Sequence, residues 1–366
     1  MRKFLQKLFK KSLKQFANKY DSKPDKYRVF AALTKLFTDL SKGKTDKGLV
    51  LLVKDDSRYI IFSDQHKGAR NGYDDFALAE KNYLQALDFY NDEQFTFVNL
   101  GDAEELWKNS LSSVIKHNKL CFEKEKLFVN RGAYIKIVGN HDLYWANDPL
   151  AGITIEKIYG QKLKVYEALM LCRVTKDDTL LNIFLTHGHQ GDKQSDGNWF
   201  SKWFVSVIWG RLQAYFELNP NTPAFNDRLK NNHNMMMYEW SAQQKSTILI
   251  TGHTHQPVFV SLTQLERIYR ALDKARANED IELISKLNQE INQRIRFGDP
   301  VPDFTAYYPY YFNTGCCCFD DGDITGIEIV GGLIRLIKWK YDERGVSQRI
   351  ILEEISFDEL LSFESS

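Results

Sequence analysis

Side chains that can bind metal ions occur in five short clusters along the chain. Six of its eight histidines fall in these clusters, together with aspartates, an asparagine and several glycines. Imidazole, carboxylate and amide oxygen are ligands for Mn²⁺, Fe²⁺ or Zn²⁺, and no cluster contains the thiolates of a structural zinc site. The five clusters are Asp64-Gln65-His66, Gly101-Asp102, Gly139-Asn140-His141-Asp142, His187-Gly188-His189 and Gly252-His253-Thr254-His255.

Seven of these side chains are candidate ligands, too many for one catalytic ion that keeps an open coordination position. They fit two ions that share a bridging carboxylate, and two-metal sites hold their ions about 3.5–4 Å apart around a phosphoryl group. Each cluster alone has an alternative interpretation as a turn, since Gly, Asn and Asp favour tight bends. The GHTH cluster is more specific, because residues two apart on an extended chain point to one side. All five together favour one metal site.

The elements that precede the clusters are predicted strands. Runs of β-branched and apolar residues cover 49–53, 58–64 and 95–102, and similar runs lead into GNHD, HGH and GHTH. Helices are predicted from about Asp75 to Tyr90 and from about Glu104 to Phe128, and residues 165–187 look like a meander. Four more strands are predicted between 307 and 355, with Cys316–Cys318 interpreted as strand residues near the rear of the site. This pattern predicts two sheets packed face to face with helices outside, and ligands gather beyond the carboxyl ends of such strands.

Three stretches depart from this pattern. Residues 1–19 carry seven basic and no acidic side chains around a Phe/Leu stripe, which predicts a basic amphipathic helix. That helix would lie on an anionic membrane surface or pack its apolar stripe on the protein body. Residues 195–245 are helical and aromatic in pattern, and 262–296 resemble a charged helical hairpin. We interpret both as insertions within one domain.

Composition excludes some classes of protein. Lys+Arg 49 against Asp+Glu 48 argues against a nucleic-acid binder that relies on overall basicity. Five cysteines without a disulfide pattern suit a reducing compartment, so we expect a cytoplasmic protein. No apolar run approaches the roughly 18 residues of a membrane span.

The series D-x-H, G-D, G-N-H-D, H-G and G-H-T-H, in this order over roughly 58–340, resembles the calcineurin-like metallophosphoesterases. The resemblance implies an α+β fold, a four-layer α/β/β/α sandwich. The residue pattern places this domain, with its helical insertions, at 49–366, after an extension over 1–48. It implies that Asp64, His66 and His255 bind one metal, that Asn140, His187 and His253 bind the other, and that Asp102 bridges them. It also implies that His141 protonates the leaving oxygen, with Asp142 orienting that imidazole. Two roles are open for His189: it contacts the substrate, or it forms a hydrogen bond that supports a metal ligand.

The function that the resemblance implies is hydrolysis of phosphate mono- or diesters, through in-line attack of a hydroxide that bridges two divalent ions (Mn²⁺, Fe²⁺ or Zn²⁺). One alternative is a pyrophosphohydrolase of the UDP-diacylglucosamine type, acting at the inner membrane surface. That branch carries Arg where this sequence has His141. The other alternative is a non-catalytic scaffold, such as the retromer subunit with this fold. Scaffolds of that kind lack parts of the metal set that this sequence retains.

Overall fold

The computed structural model describes residues 25–363, apart from 45, 73, 176–179, 192–226, 263–267, 270, 273–274, 277 and 297–308. The helix predicted over 1–19 and the aromatic positions 195–226 lie outside the described residues. The strands are β1 (Gly48–Leu52), β2 (Arg58–Phe62), β3 (Thr96–Leu100), β4 (Tyr134–Ile137), β5 (Val165–Tyr166), β6 (Ala168–Val174), β7 (Leu180–Thr186), β8 (Thr247–Thr251), β9 (Tyr311–Asn313), β10 (Ile324–Val330), β11 (Leu333–Tyr341) and β12 (Ser347–Ser356).

Helices connect these strands or pack on them. They are α1 (Lys26–Ser41), α2 (Glu80–Asp92), α3 (Leu111–His117), α4 (Lys119–Asn130), α5 (Tyr144–Asn147), α6 (Ala151–Tyr159), α7 (Asp227–Ser241), α8 (Ile281–Arg296) and α9 (Phe357–Ser362). Within the described residues, no helix combines the length and the apolarity that a membrane crossing requires.

The strands form two mixed sheets. One has five strands in the order β1-β6-β7-β8-β9, and the other has seven in the order β12-β11-β10-β2-β3-β4-β5. Strands β2, β3, β4 and β5 run parallel, and so do β7, β8 and β9. The predicted meander is confirmed, since β6 and β7 pair antiparallel. The carboxyl ends of β2, β3 and β4 therefore meet at one edge of their sheet, as do those of β7 and β8.

Alternating side chains assemble three hydrophobic clusters. Along β2, Ile61 packs in a cluster shared by both sheets, while Ile60 and Phe62 belong to a second cluster with α2, α4 and α6. That alternation is the period of a strand buried on both faces. A third cluster joins the five-stranded sheet to α1 and α7, including Leu33 and Trp240. One cluster thus contains residues of both sheets, and the other two each join one sheet to helices.

Two predicted helices begin later than the sequence pattern indicated. Helix α2 starts at Glu80, not Asp75, and the helix predicted from Glu104 to Phe128 is two helices, α3 and α4. Helix α3 begins at Leu111, because Ser110 caps it by accepting a hydrogen bond from the backbone N–H of Ser113. The segment before the cap is buried and carries Glu104, which pairs with the buried Lys136.

Parts of the other predicted segments are described. In the predicted hairpin, α8 packs Leu287 and Ile291 against Ile268, Leu272 and Ala275 of the preceding limb. The cysteines Cys316–Cys318 were predicted as strand residues, and this is wrong. They lie in a buried loop between β9 and β10, because the pairing of β9 with β8 ends at Asn313.

Candidate metal centre

The loops after β2, β3, β4, β7 and β8 carry the predicted ligands, and all seven residues are buried or half-buried. Five of them have left-handed backbones, at φ between 50° and 71°. Residues with a Cβ rarely adopt such φ values, and the strain persists where the surroundings hold it, often at functional sites. These five are Asp64, His66, Asp102, His253 and His255.

Hydrogen bonds join the loops to one another. The backbone N–H groups of Asp64 and His66 donate to the carbonyls of Gly101 and Asp102, at 3.0 and 2.9 Å. The N–H of His253 donates to Oδ2 of Asp64 at 2.9 Å, which ties the two sheets together at the site. The backbone therefore fixes the relative positions of the loops.

One group of candidate ligands consists of Asp64, His66 and His255, with donor atoms all within 4.8 Å of one another. The Nε2 atoms of the two histidines are 3.1 Å apart, and Nε2 of His255 is 3.3 Å from Oδ1 of Asp64. Two imidazole nitrogens and a carboxylate oxygen facing a common point are a suitable ligand set for a divalent ion.

A second group consists of Asp102, His187 and His253, again within 4.8 Å. Nε2 of His187 is 3.2 Å from Oδ2 of Asp102, and the same oxygen is 3.8 Å from Nε2 of His66 in the first group. Asp102 therefore lies between the two groups. Nδ1 of His187 is 2.9 Å from the carbonyl oxygen of Leu100, so this nitrogen carries the proton and Nε2 is left to ligate.

Metal ions fit these residues. Among the described side chains, buried polar atoms without a hydrogen-bond partner include Oδ1 of Asp64, Oδ1 of Asn140, Nε2 of His187 and Nε2 of His253. A buried polar atom without a partner is costly, and native proteins contain few of them. Bound cations would supply partners for all four of these atoms, each of which belongs to a predicted ligand.

The electrostatics of the site favour positive charge. Burial alone would raise the pKa of Asp64 and of Asp102, but the charge of His187 keeps both well below their usual range. Burial also opposes protonation of His187, yet the carboxylates of Asp102 and Asp64 raise its pKa to about 9. Burial lowers the pKa of His253 well below its usual value, so this imidazole is neutral and able to ligate.

His141 is held by two contacts. Its Nδ1 is 3.0 Å from Oε2 of Glu105, and its ring stacks on Trp107 with centroids 3.9 Å apart and planes 16° apart. The indole N–H of Trp107 donates in turn to the carbonyl of Asn140 at 2.8 Å. Burial alone would raise the pKa of Glu105, but the charge of His141 holds it well below its usual range. Glu105 therefore accepts the Nδ1 proton and leaves Nε2 of His141 for other chemistry.

The prediction that Asp142 orients His141 is wrong. Its Oδ1 accepts from the N–H of Gly139 at 2.6 Å and its Oδ2 from the N–H of Ala103 at 2.9 Å, so both oxygens serve the backbone of the loops. Burial raises its pKa to about 6. Sequence reasoning missed Glu105, which was placed within a predicted helix. Its position three residues after Asp102, close to the end of β3, was the available signal.

His189 is buried, with its ring centroid 5.3 Å from that of His187. His233, which no cluster motif contained, lies 5.0 Å from His253 by ring centroids, and its Nε2 is 2.7 Å from the carbonyl oxygen of Gly188. Both histidines therefore flank the second group of ligands.

No family model matches the sequence, and no curated protein matches it. Solved structures similar to this chain include vacuolar protein sorting 29 from Cryptosporidium parvum (11% identity, TM-score 0.34, covering 82% of this chain and 98% of that one). A dimetal phosphatase from Danio rerio has 9% identity and a TM-score of 0.32, covering 81% and 99%. A putative 5′-nucleotidase from Staphylococcus aureus has 12% identity and a TM-score of 0.29, covering 85% and 58%.

Proposed function

We propose that this protein is a dinuclear metal-dependent phosphoesterase that hydrolyses phosphate mono- or diesters. The observation that carries the proposal is the pair of three-residue ligand groups, buried except for the half-buried His255, with Asp102 between them. Two cation sites joined by one carboxylate are suited to in-line displacement at phosphorus.

We assign the ligands as the resemblance to metallophosphoesterases implies. Asp64, His66 and His255 would bind one ion, and Asp102 would be shared. Asn140, His187 and His253 would bind the other, and the unpartnered oxygen and nitrogens of these three support that role. The donor set suits Mn²⁺, Fe²⁺ or Zn²⁺. When bound, two such ions supply Lewis acidity that neutralises phosphoryl charge and activates water for attack.

His141 is the proposed general acid. With its Nδ1 proton held by Glu105, the imidazole offers Nε2 as the atom that gives a proton to the departing oxygen. Stacking on Trp107 restricts rotation of the ring. General acid catalysis of this kind contributes typically 10²–10⁴-fold to the rate.

The test is hydrolysis of para-nitrophenyl phosphate and of its bis-ester, with Mn²⁺, with Zn²⁺ and without added metal. Asp102→Asn is expected to lose metal and activity together. His141→Ala is expected to keep two ions per chain, by elemental analysis, and to lose about 10²–10⁴-fold in kcat. Absence of turnover with two ions bound would contradict the proposal and favour the scaffold alternative.

The layered α/β/β/α order and a cytoplasmic location belong to the same proposal. Helices outside both sheets support the first, and five free, buried cysteines support a reducing compartment. The lipid pyrophosphohydrolase alternative depends on residues 1–19 and 195–226, which lie outside the described residues, so it stays a prediction.

A further inference from the structure

The loop after β9 brings two thiols to one of the proposed metal ligands. This loop is held in place by its backbone, since Thr314 N–H donates to the carbonyl of Thr251 and Cys317 N–H to that of Asp64. Cys317 joins the hydrophobic cluster beneath the seven-stranded sheet. Its neighbours Cys316 and Cys318 lie instead beside His255.

The three side chains form a compact donor set. The sulfurs of Cys316 and Cys318 and a ring nitrogen of His255 all lie within 4.8 Å of one another, and Sγ of Cys318 is 3.8 Å from Nδ1 of His255. Tetrahedral zinc with bonds of about 2.3 Å to sulfur and about 2.0–2.1 Å to nitrogen separates S from N by roughly 3.6 Å. The observed spacing is therefore close to what one bound ion requires. Both cysteines are free and buried.

We propose that Cys316, Cys318 and Nδ1 of His255 form a separate binding site for a thiophilic metal ion, such as Zn²⁺, Cd²⁺ or Cu⁺. Two thiolates and an imidazole select soft ions, whereas the groups around Asp64 and Asp102, with imidazole nitrogens and carboxylate oxygens, also accept harder ones. His255 would be shared between the two kinds of site, because its Nε2 is 3.3 Å from Oδ1 of Asp64 while its Nδ1 faces sulfur.

This sharing makes the two sites compete. A neutral imidazole ligates through one nitrogen and carries its proton on the other. If Nε2 binds an ion of the dinuclear centre, Nδ1 keeps the proton and donates it toward the thiol of Cys318. If a soft ion binds Nδ1, the proton moves to Nε2 and two thiol protons are released to solvent. A thiophilic ion would thus remove His255 from the dinuclear centre, a consequence that rests on the proposed function.

The experiment titrates the metal-free protein with Cd²⁺ and follows the ultraviolet charge-transfer band of cadmium–thiolate bonds. We expect one such cadmium per chain and release of thiol protons in a weakly buffered solution. The variant Cys316→Ser/Cys318→Ser should lose the band. The matched control Cys172→Ser changes a buried thiol on β6, 3.5 Å from Oδ1 of Asn182, and should keep the full band.

Absence of the band in the unaltered chain would overturn the proposal, and so would an unchanged band in the double variant. Should the double variant fail to fold, Cys318→Ala provides the same comparison, with circular dichroism as the check on folding. This readout does not depend on catalysis, so it stands if the phosphoesterase proposal fails.

Competition between the two sites is measured separately, as inhibition of Mn²⁺-dependent hydrolysis by cadmium. It is measured in the unaltered protein and in Cys316→Ser/Cys318→Ser, each relative to its own rate without cadmium. Loss of the two thiols should weaken that inhibition by at least about 10–100-fold, the cost of losing an outer-shell partner of a metal site, because here the proposed ligands themselves are removed. Equal inhibition in both proteins would mean that cadmium acts through the dinuclear centre alone, and would refute the sharing of His255.

Discussion

Replacing Glu104 by Gln is expected to destabilise the metal-free protein by about 3–5 kcal/mol. Glu104 is fully buried between two buried lysines. Its Oε2 is 2.9 Å from Nζ of Lys136, its Oε1 is 3.3 Å from Nζ of Lys67, and the indole N–H of Trp145 donates to Oε2 at 2.6 Å. Burial alone would raise the pKa of Glu104, but these lysines lower it to about 2, so the carboxylate is charged at neutral pH.

The magnitude follows from which charge loses its partner. In the variant, Lys67 keeps an ion pair with Glu125, at 2.5 Å. Lys136 has one carboxylate within 4 Å among the described residues, that of Glu104, and would lose it. Removing one member of a buried ion pair costs about 3–5 kcal/mol, because the other charge remains without compensation. A chain of 366 residues unfolds with an entropy near 0.8 kcal/mol/K, at about 2.1 cal/mol/K per residue. The melting temperature should therefore fall by about 4–6 °C.

The assay is thermal and urea unfolding of the metal-free protein. The control Glu123→Gln removes a carboxylate that is 55% exposed and 3.5 Å from Lys119 one helical turn away, and it should change stability by less than about 0.5 kcal/mol. Adding Lys136→Met to Glu104→Gln removes the uncompensated charge and should recover part of the loss. The reasoning is refuted if Glu104→Gln matches the control, or if the double variant is no more stable than the single one.

The strands that position the site could be predicted from the sequence because their signal is local. A run such as residues 58–62 is buried on both faces, so its apolar character shows without knowledge of its neighbours. The position of the clusters at strand ends then indicated a common edge, since parallel strands bring their carboxyl ends together. The presence of two sheets followed from the same strand patterns.

Buried charges could not be predicted, because the sequence does not distinguish a buried lysine or glutamate from a solvated one. Glu104 and Glu105 fit the pattern of the helix predicted to extend to Phe128. Only their contacts with residues of other elements show that their side chains are buried. Lys136 lies within strand β4, 32 residues from Glu104. The role given to Asp142 failed for a related reason: proximity in sequence to His141 suggested a contact that the backbone N–H groups of Gly139 and Ala103 take instead.

Two further variants test the site. Glu105→Gln should lower kcat by about 10–100-fold, because His141 loses the carboxylate that holds its Nδ1 proton and His66 loses the same carboxylate 3.4 Å from its Nδ1. An unchanged kcat would contradict that role. Gly139→Ala places a Cβ on the backbone N and Oδ1 of Asp102, and neither can move without displacing the loop that carries the shared carboxylate. Metal content by elemental analysis should therefore fall below two ions per chain. Gly152→Ala is the control, since its Cβ meets open space on helix α6 and Ala favours a helix by about 1 kcal/mol, so this variant should keep both ions. Full metal content in Gly139→Ala would mean that Asp102 does not depend on this close approach.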